Sequence, residues 1–162
     1  MRVYRITAAE HAAAPLSGHG AAISGGRWNS PGTRIGYTTA YRSSAILEML
    51  VHVARDCVPR DRVMVPIDLP DDSIEPIATL PRGWNRLPYS AAVQRAGDAW
   101  ASAGRSLCWR VPNAIVAGEW NVLVNPLHPR AREIRVRAAE PLVLDPRLFD
   151  LPPTPPHGSR AR

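Results

Sequence analysis

Only two segments of this chain have the apolar periodicity of an amphipathic helix, which restricts long helices to residues 43–56 and 89–104. A serine precedes the first segment as a possible cap, and its apolar face is formed by Ile46, Leu47, Met49, Leu50, Val53 and Ala54. The second segment has Ser90 at its start and Gly104 at its end, both typical capping residues. The rest of the fold must therefore be built from strands and loops.

The strand-like runs are short, and several meet one of the chain's 17 prolines. In RVMVPIDL (62–69), Pro66 lacks the N–H that a central strand needs, so we expect an edge strand or a broken one. The remaining runs are RVYRI (2–6), IGYT (35–38), LCWRV (107–111), WNVLVNP (120–126, ending in a turn), EIRVR (133–137) and PLVLD (141–145). These elements predict one domain over residues 1–150, followed by a Pro-rich, disordered tail at 151–162.

A long stretch rich in Ala, Gly, Ser and Pro separates the first two strands, at residues 7–34. We expect a loop with local turns there, including a β-turn at SPGT with Pro31 and Gly32 at its central positions. A loop of this length inside a compact domain usually has a functional role.

The chain has no lysine, so arginine supplies all of its positive charge apart from histidine. The net charge is +6. Without lysine there can be no Walker A phosphate loop and no Schiff-base chemistry. Arg130, Arg132, Arg135 and Arg137 lie close together against Glu133. Such a basic balance suits either nucleic acid or an anionic small molecule as a partner.

Several other classes of protein are not indicated. There is no apolar run of about 18 residues and no apolar segment near the N-terminus, so we expect no membrane contact, no signal peptide and a cytoplasmic location. Cys57 and Cys108 are most simply two buried, reduced thiols. No GxGxxG, HExxH, CxxC or GxSxG motif is present, and the spacing of the histidines predicts no metal site.

Three short motifs could carry chemistry. In Ser24-Gly25-Gly26-Arg27-Trp28-Asn29, the glycines allow close backbone approach, the guanidinium suits a phosphate, and the tryptophan could cover a ring. The alternative is a turn with a solvated arginine and a tryptophan packed in the core. In the first helix, Glu48 and His52 lie one turn apart on the side opposite the apolar face. The alternative to a functional role is a solvated pair of side chains at positions i and i+4.

The third motif joins Arg110-Val111-Pro112-Asn113 to Glu119-Trp120-Asn121 and Asn125-Pro126. Polar residues within an apolar run indicate buried amides with specific partners. Ordinary turn formation by Asn and Pro is the alternative.

Taken in order, these motifs resemble the RES-domain toxins, the toxin halves of bacterial RES–Xre toxin–antitoxin modules. The resemblance covers residues 2–145 and rests on Val3-Tyr4-Arg5-Ile6, Gly26-Arg27-Trp28-Asn29, Gly36-Tyr37-Thr38, Ala45 to His52, Arg110-Val111-Pro112 and Asn121 to Pro126 with His128. It implies a single α/β (α+β) domain of the ADP-ribosyltransferase type, with a mixed sheet and flanking helices. It also implies an enzyme that takes NAD as its substrate and needs no cofactor.

The resemblance assigns roles to particular residues. The family's arginine and glutamate fall on Arg27 and Glu48, its strand tyrosine on Tyr37, and a further pocket arginine on Arg5. Glu48 would stabilise an oxocarbenium-like ribose, the arginines would bind the pyrophosphate, and Tyr37 would stack on nicotinamide or ribose. Trp28 would line the same wall.

The chain departs from the family at position 113, where the family has serine and this sequence has Asn113. Asparagine can donate and accept hydrogen bonds, so we expect Asn113 to bind nicotinamide's amide or the ribose. A role that needs a hydroxyl is unavailable to it.

The resemblance further implies a cognate Xre-type, helix-turn-helix antitoxin that forms a hetero-oligomer with this chain and alone contacts DNA. NAD degradation by hydrolysis or phosphorolysis is the expected reaction, with protein ADP-ribosylation as the alternative. A non-enzymatic, Arg-rich nucleic-acid-binding module is the rival from another class. Against it, the sequence shows no helix-turn-helix or RNA-binding signature.

Overall fold

The computed structural model describes residues 1–54 and 60–149. Within those residues there are eight strands and three α-helices, besides short 3-10 turns. The strands are β1 (Arg2–Ala8), β2 (Gly36–Thr39), β3 (Arg62–Asp68), β4 (Ile74–Pro76), β5 (Cys108–Pro112), β6 (Trp120–Val124), β7 (Arg135–Val136) and β8 (Glu140–Pro141). The helices are α1 (His19–Ser24), α2 (Arg42–Leu50) and α3 (Ala91–Ala103).

The strands form one mixed sheet in the order β4-β5-β6-β2-β1-β3-β7, with β8 also paired to β3. The β4–β5 pair is parallel and the other pairs are antiparallel. This arrangement confirms the predicted single α/β (α+β) domain with a mixed sheet. Two core clusters stabilise it, one around Val3, Val65 and Ile67, the other around the tryptophans Trp28, Trp100 and Trp109.

The sheet opens between β1 and β2. These strands pair in register only at Tyr4 and Thr39 of the described chain, whereas β1 and β3 pair from Arg2 to Ala8. The opening leaves room for side chains between the strands, and the candidate site lies there.

The prediction that Pro66 makes an edge or broken strand is wrong, because β3 is continuous and has neighbours on both sides. The carbonyl of Pro66 accepts from the N–H of Arg137 at 2.9 Å, so the proline nitrogen faces that same side of the strand. There β7 has ended and β8 has not begun. The missing N–H therefore removes no ladder hydrogen bond.

The first predicted helix, 43–56, is shorter than expected. α2 ends at Leu50, a turn follows, and residues 55–59 lie outside the described chain. Its buried residues are Ser44 and Ala45, while Leu47 of the predicted apolar face is 38% exposed. Small residues let α2 approach β1 and β2 closely, so the larger apolar side chains lie at the margin of the contact.

Two predicted late strands are also shorter, since β7 and β8 have two residues each. Glu133 belongs to a 3-10 turn, and Val143 is 88% exposed with no strand beside it. The loop expected at 7–34 contains the end of β1 and the short helix α1. β4, whose polar and proline residues gave no strand signal, was not predicted.

Other predictions are confirmed. α3 begins after Ser90, whose hydroxyl accepts from the N–H of Ala92 at 3.3 Å, and ends at Gly104 in the left-handed region, with φ 56°. The SPGT turn closes through the N–H of Thr33 and the carbonyl of Ser30 at 3.2 Å. Cys108 is buried, and burial raises the pKa of its thiol to about 11. Cys57 and the predicted tail at 151–162 lie outside the described residues.

Candidate active site

The glycine-rich loop before β2 is fixed by one face of α3. The side-chain amide of Gln94 donates to the carbonyls of Gly26 and Asn29, at 3.0 and 3.2 Å. One turn further on, the carboxylate of Asp98 accepts from the N–H of Ser30 at 3.0 Å. The helix therefore determines where the tip of this loop lies.

Asn29 completes the loop from inside and is fully buried. Its Nδ2 lies within hydrogen-bond distance of the carbonyls of Ala21, Ser30 and Thr33, and its Oδ1 accepts from the hydroxyl of Tyr37 at 2.7 Å. Sequence reasoning placed Asn29 in the motif but gave it no role. Its position after Gly-Gly-Arg-Trp was the available signal, since asparagine commonly fixes tight loops.

Tyr37 in β2 uses its hydroxyl to hold the same loop. That hydroxyl donates to Asn29 and accepts from the N–H of Trp28 at 3.0 Å. Burial raises the pKa of Tyr37, so the phenol stays protonated. Its ring borders the cleft, but its polar group is committed to the loop.

The guanidinium of Arg27 is held by the segment that follows β4. Its Nη1 donates to the carbonyls of Trp84 and Arg86 at 2.8 and 3.1 Å, and its Cζ lies 5.0 Å from the centre of the Tyr89 ring. Within the described chain, Nη2 and Nε have no acceptor. Arg27 is thus oriented through one nitrogen and keeps donors for an anion.

Arg5 occupies the opening between β1 and β2. Its Nη1 donates to the carbonyl of Tyr37 at 2.7 Å, and its buried Nε has no hydrogen-bond partner among the described residues. Burial lowers the pKa of Arg5 by disfavouring its charged form. A largely buried guanidinium that lines the cleft and has no ion-pair partner among the described residues favours an anionic ligand there.

Glu48 on α2 is half-buried and faces β6. Its Oε1 accepts from Nδ2 of Asn121 at 2.9 Å. His52, which sequence reasoning paired with Glu48 on one helical face, lies beyond the end of α2 and is exposed. Both border the same cleft, so the expected solvated face of α2 is the wall of a cavity.

Asn113 lies behind that wall. Its Oδ1 accepts from the N–H groups of Ile115 and Val116, at 2.7 and 2.9 Å, and its Nδ2 donates to Oδ1 of Asn121 at 3.0 Å. Asn113 is buried and does not line the cleft. Asn113 therefore stabilises the turn and also contacts Asn121, whose side chain holds Glu48.

One cleft of about 870 Å³ brings most of the predicted site residues together. This is within the usual range for ligand sites. Its lining includes Arg5, Arg27, Trp28, Tyr37 and Glu48. The cleft thus places two arginines and one carboxylate around a single space.

Trp28 contributes to this cleft mainly through its position in the core. It is 2% exposed, its ring stacks on Trp84 with centres 6.4 Å apart, and it meets Trp109 edge-on at 5.3 Å. The alternative weighed from the sequence, a tryptophan packed in the core, matches this placement. Trp28 fixes the backbone next to Arg27.

Two of the four arginines in the cluster near β7 are paired with carboxylates. Arg130 contacts Asp72 and Glu133 at 2.9 and 2.8 Å, and Arg137 contacts Asp68 at 2.6 Å. Carboxylates therefore neutralise part of the patch that a nucleic-acid-binding module would need.

None of the helices in residues 1–54 and 60–149 has the length and apolar character of a membrane span. In the same residues, no group of three or more His, Cys, Asp or Glu side chains could hold a metal ion.

Comparison with known proteins places this chain in a family. The sequence profile of the RES domain matches residues 2–145. The Prs ADP-ribosylating toxin of Sphingobium sp. (strain YBL2) is 39% identical over 139 residues, which cover 83% of this chain and 86% of that protein. Toxin Res of Photorhabdus laumondii is 37% identical over 129 residues, covering 78% and 83% of the two chains.

The fold has a solved counterpart. A chain in the crystal structure of the M. tuberculosis MbcT–MbcA toxin–antitoxin complex superposes with a TM-score of 0.69 and 21% identity, covering 91% of this chain and 85% of that one. At this identity the likeness concerns the fold. Because the RES profile spans most of the sequence and the relatives exceed 30% identity over most of its length, the chain belongs to the RES domain family.

Proposed function

We propose that this protein is a toxin that cleaves the bond between nicotinamide and ribose in NAD, by hydrolysis or phosphorolysis. The observation that carries the proposal is the shared cleft, in which Glu48 faces a space also bordered by Arg5 and Arg27. The names of two relatives, Prs ADP-ribosylating toxin and Toxin Res, support two parts of this proposal: that the protein is a toxin, and that its reaction yields a product derived from NAD.

In this proposal the arginines bind the pyrophosphate, which carries two negative charges. Arg27 offers Nη2 and Nε, while Arg5 lines the same cleft and uses Nη1 alone on the carbonyl of Tyr37. Charge-assisted hydrogen bonds from planar guanidinium groups suit phosphate oxygens. Because main-chain carbonyls already hold one nitrogen of each side chain, little side-chain entropy is lost on binding.

Glu48 acts on the ribose. Loss of neutral nicotinamide leaves an oxocarbenium-like carbon, and a fixed carboxylate nearby stabilises that developing positive charge. A water or phosphate oxygen then bonds to the same carbon. In hydrolysis the water gives up a proton, and the products are nicotinamide and ADP-ribose. Tyr37 presents its ring to nicotinamide or ribose, since its hydroxyl is used by the loop.

Protein ADP-ribosylation is the second candidate reaction, favoured by the name of the Sphingobium relative. The two reactions share every step up to loss of nicotinamide and differ in which nucleophile follows. The test is the purified chain with NAD, with and without phosphate and with lysate proteins, followed by mass spectrometry. Free ADP-ribose identifies hydrolysis, its phosphate ester phosphorolysis, and a protein mass increase transfer. Intact NAD in all three mixtures would contradict the proposal.

The proposal includes a cognate Xre-type antitoxin with a helix-turn-helix domain, through which alone the complex reaches DNA. The structural neighbour is a chain from a toxin–antitoxin complex, which supports an antitoxin as the partner. Co-expression with the neighbouring gene's product should yield a stable hetero-oligomer in which NAD turnover is suppressed. Independent migration of the two chains in size-exclusion chromatography would contradict this part.

A further inference from the structure

We propose that Asn121 is a positioning residue that fixes the Glu48 carboxylate, and that Asn113 in turn fixes Asn121. The inference rests on the proposed function for its catalytic consequence, but the hydrogen-bonded series itself is a property of the fold. We call Asn113, Asn121 and Glu48 the amide relay.

The relay begins at the turn after β5. Oδ1 of Asn113 accepts from the N–H groups of Ile115 and Val116, so this oxygen must face the turn. Its NH₂ group then faces the other way, toward Asn121. An amide has one oxygen and one NH₂ group, and the two backbone donors therefore fix the orientation of Asn113.

The orientation of the Asn113 amide determines that of the Asn121 amide. Because Asn113 presents donors, Asn121 must turn its oxygen toward Asn113 and its NH₂ group toward Glu48. The distances, 3.0 Å from Asn113 to Asn121 and 2.9 Å from Asn121 to Glu48, fit this order. The Glu48 carboxylate thus receives an N–H from a group that cannot easily reverse.

A second contact ties the same two elements together. The hydroxyl of the buried Ser44 donates to the carboxylate of Glu119. Ser44 and Glu48 lie one turn apart on α2, while Glu119 immediately precedes β6 and Asn121 is its second residue. Two parallel contacts therefore fix both the distance and the rotation of α2 relative to β6, and with them the position of Glu48.

Position matters for a carboxylate that stabilises a transition state. A misplacement of about 1 Å can reduce the rate by about 100-fold. Loss of the relay should therefore lower kcat while substrate binding, which the arginines provide, changes little.

The variant that separates positioning from turn formation is Asn113→Asp. One aspartate oxygen still accepts from Ile115 and Val116, which keeps the turn. The other oxygen replaces the NH₂ group, so Asn121 must reverse and point its oxygen at Glu48. We expect kcat for NAD to fall about 10- to 100-fold with KM within about twofold.

Asn125→Asp is the matched control. Asn125 is 3% exposed against 4% for Asn113, and its Oδ1 likewise accepts a turn N–H, from Leu127 at 3.0 Å. Its Nδ2 donates to the carbonyl of Ala101, away from the cleft. We expect this variant to lose stability and to keep kcat per folded molecule. Asn121→Ala, which keeps the backbone pairing of β6, serves as a second test if Asn113→Asp does not fold.

Side-chain amide NMR tests the relay without activity. The NH₂ signals of Asn121, assigned by their loss in Asn121→Ala, should shift in Glu48→Gln and in Asn113→Asp but not in Asn125→Asp. Signals that do not move in either relay variant would overturn the inference, as would equal kcat in Asn113→Asp and Asn125→Asp. If the wild-type chain leaves NAD intact, the proposed function fails, and the NMR comparison alone decides the relay.

Discussion

Gly97 of α3 lies directly against the main chain of Trp28, so closely that a Cβ on Gly97 would lie 1.8 Å from the carbonyl oxygen of Trp28. The loop that carries Arg27 therefore rests on the helix through a position that only glycine can occupy. In the sequence, Gly97 was simply a weak point in a predicted helix. In the structure it allows the close approach that places Arg27 in the cleft.

Gly97→Ala should destabilise the protein although alanine favours helix. Alanine gains about 1 kcal/mol of helix propensity, but overpacking costs about 1–3 kcal/mol and displaces the loop. We expect a lower melting temperature and a larger loss of NAD turnover than stability alone explains. Gly20→Ala, in α1, where nothing lies within 4 Å of the added Cβ, is the control for stability and should not lower it. Wild-type stability and turnover in Gly97→Ala would show that the loop does not depend on this contact.

Arg27→Lys should weaken NAD turnover and loosen the segment that follows β4. Lysine retains the charge but cannot donate to the carbonyls of Trp84 and Arg86 while presenting two further nitrogens to a phosphate. We expect KM to rise and stability to fall by about 1.5–3 kcal/mol, the range for hydrogen bonds to a charged group. Steady-state kinetics and thermal melts measure both. An unchanged KM would remove Arg27 from the binding site.

The contact between Asp98 and the loop should make the stability of the protein depend on pH in the acidic range. Burial acts to raise the pKa of Asp98, but hydrogen bonds from Ser30 and Thr33 outweigh it and hold the pKa below its ordinary value. A lowered folded pKa contributes stability above the unfolded value of about 3.9, and this stability is lost as the pH falls through the folded pKa. The stability difference between wild type and Asp98→Asn should therefore shrink below about pH 4. A difference that stays constant from pH 6 to pH 2 would contradict this account.

Local signals in the sequence predicted those elements whose formation depends on residues close together along the chain. The caps at Ser90 and Gly104 predicted α3, and the SPGT turn formed as its residues indicated. Motif order identified the family and predicted site roles for Arg5, Arg27, Tyr37 and Glu48, and in the structure these four residues line one cleft.

Long-range contacts were beyond such reasoning. Whether Pro66 interrupts a sheet depends on β7 and β8, which join β3 from far along the chain. The position of Asn113 behind the cleft wall depends on Asn121, and neither residue's local sequence shows it. The length of α2 was misjudged because its apolar pattern continues past Leu50, where the structure has a turn.

The isolated chain should bind DNA weakly despite its net charge of +6. Arg130 and Arg137 are engaged by carboxylates, so fewer arginines are free to displace counterions. We expect a Kd of about 10⁻⁶ M or weaker at physiological salt, typical of non-specific binding. Fluorescence anisotropy with duplex DNA measures it. A Kd near 10⁻⁸ M would instead favour the nucleic-acid-binding module.

The central claim is that Glu48 acts on the ribose of NAD, and nicotinamide release by wild type and Glu48→Ala tests it most directly. Glu10→Ala, which removes an exposed carboxylate that does not line the cleft, is the matched control. Wild type and Glu10→Ala should release nicotinamide at equal rates, and Glu48→Ala should be slower by at least about 100-fold, as for loss of a preorganised electrostatic group. Nicotinamide release by Glu48→Ala at the wild-type rate, with the fold intact, would contradict the account.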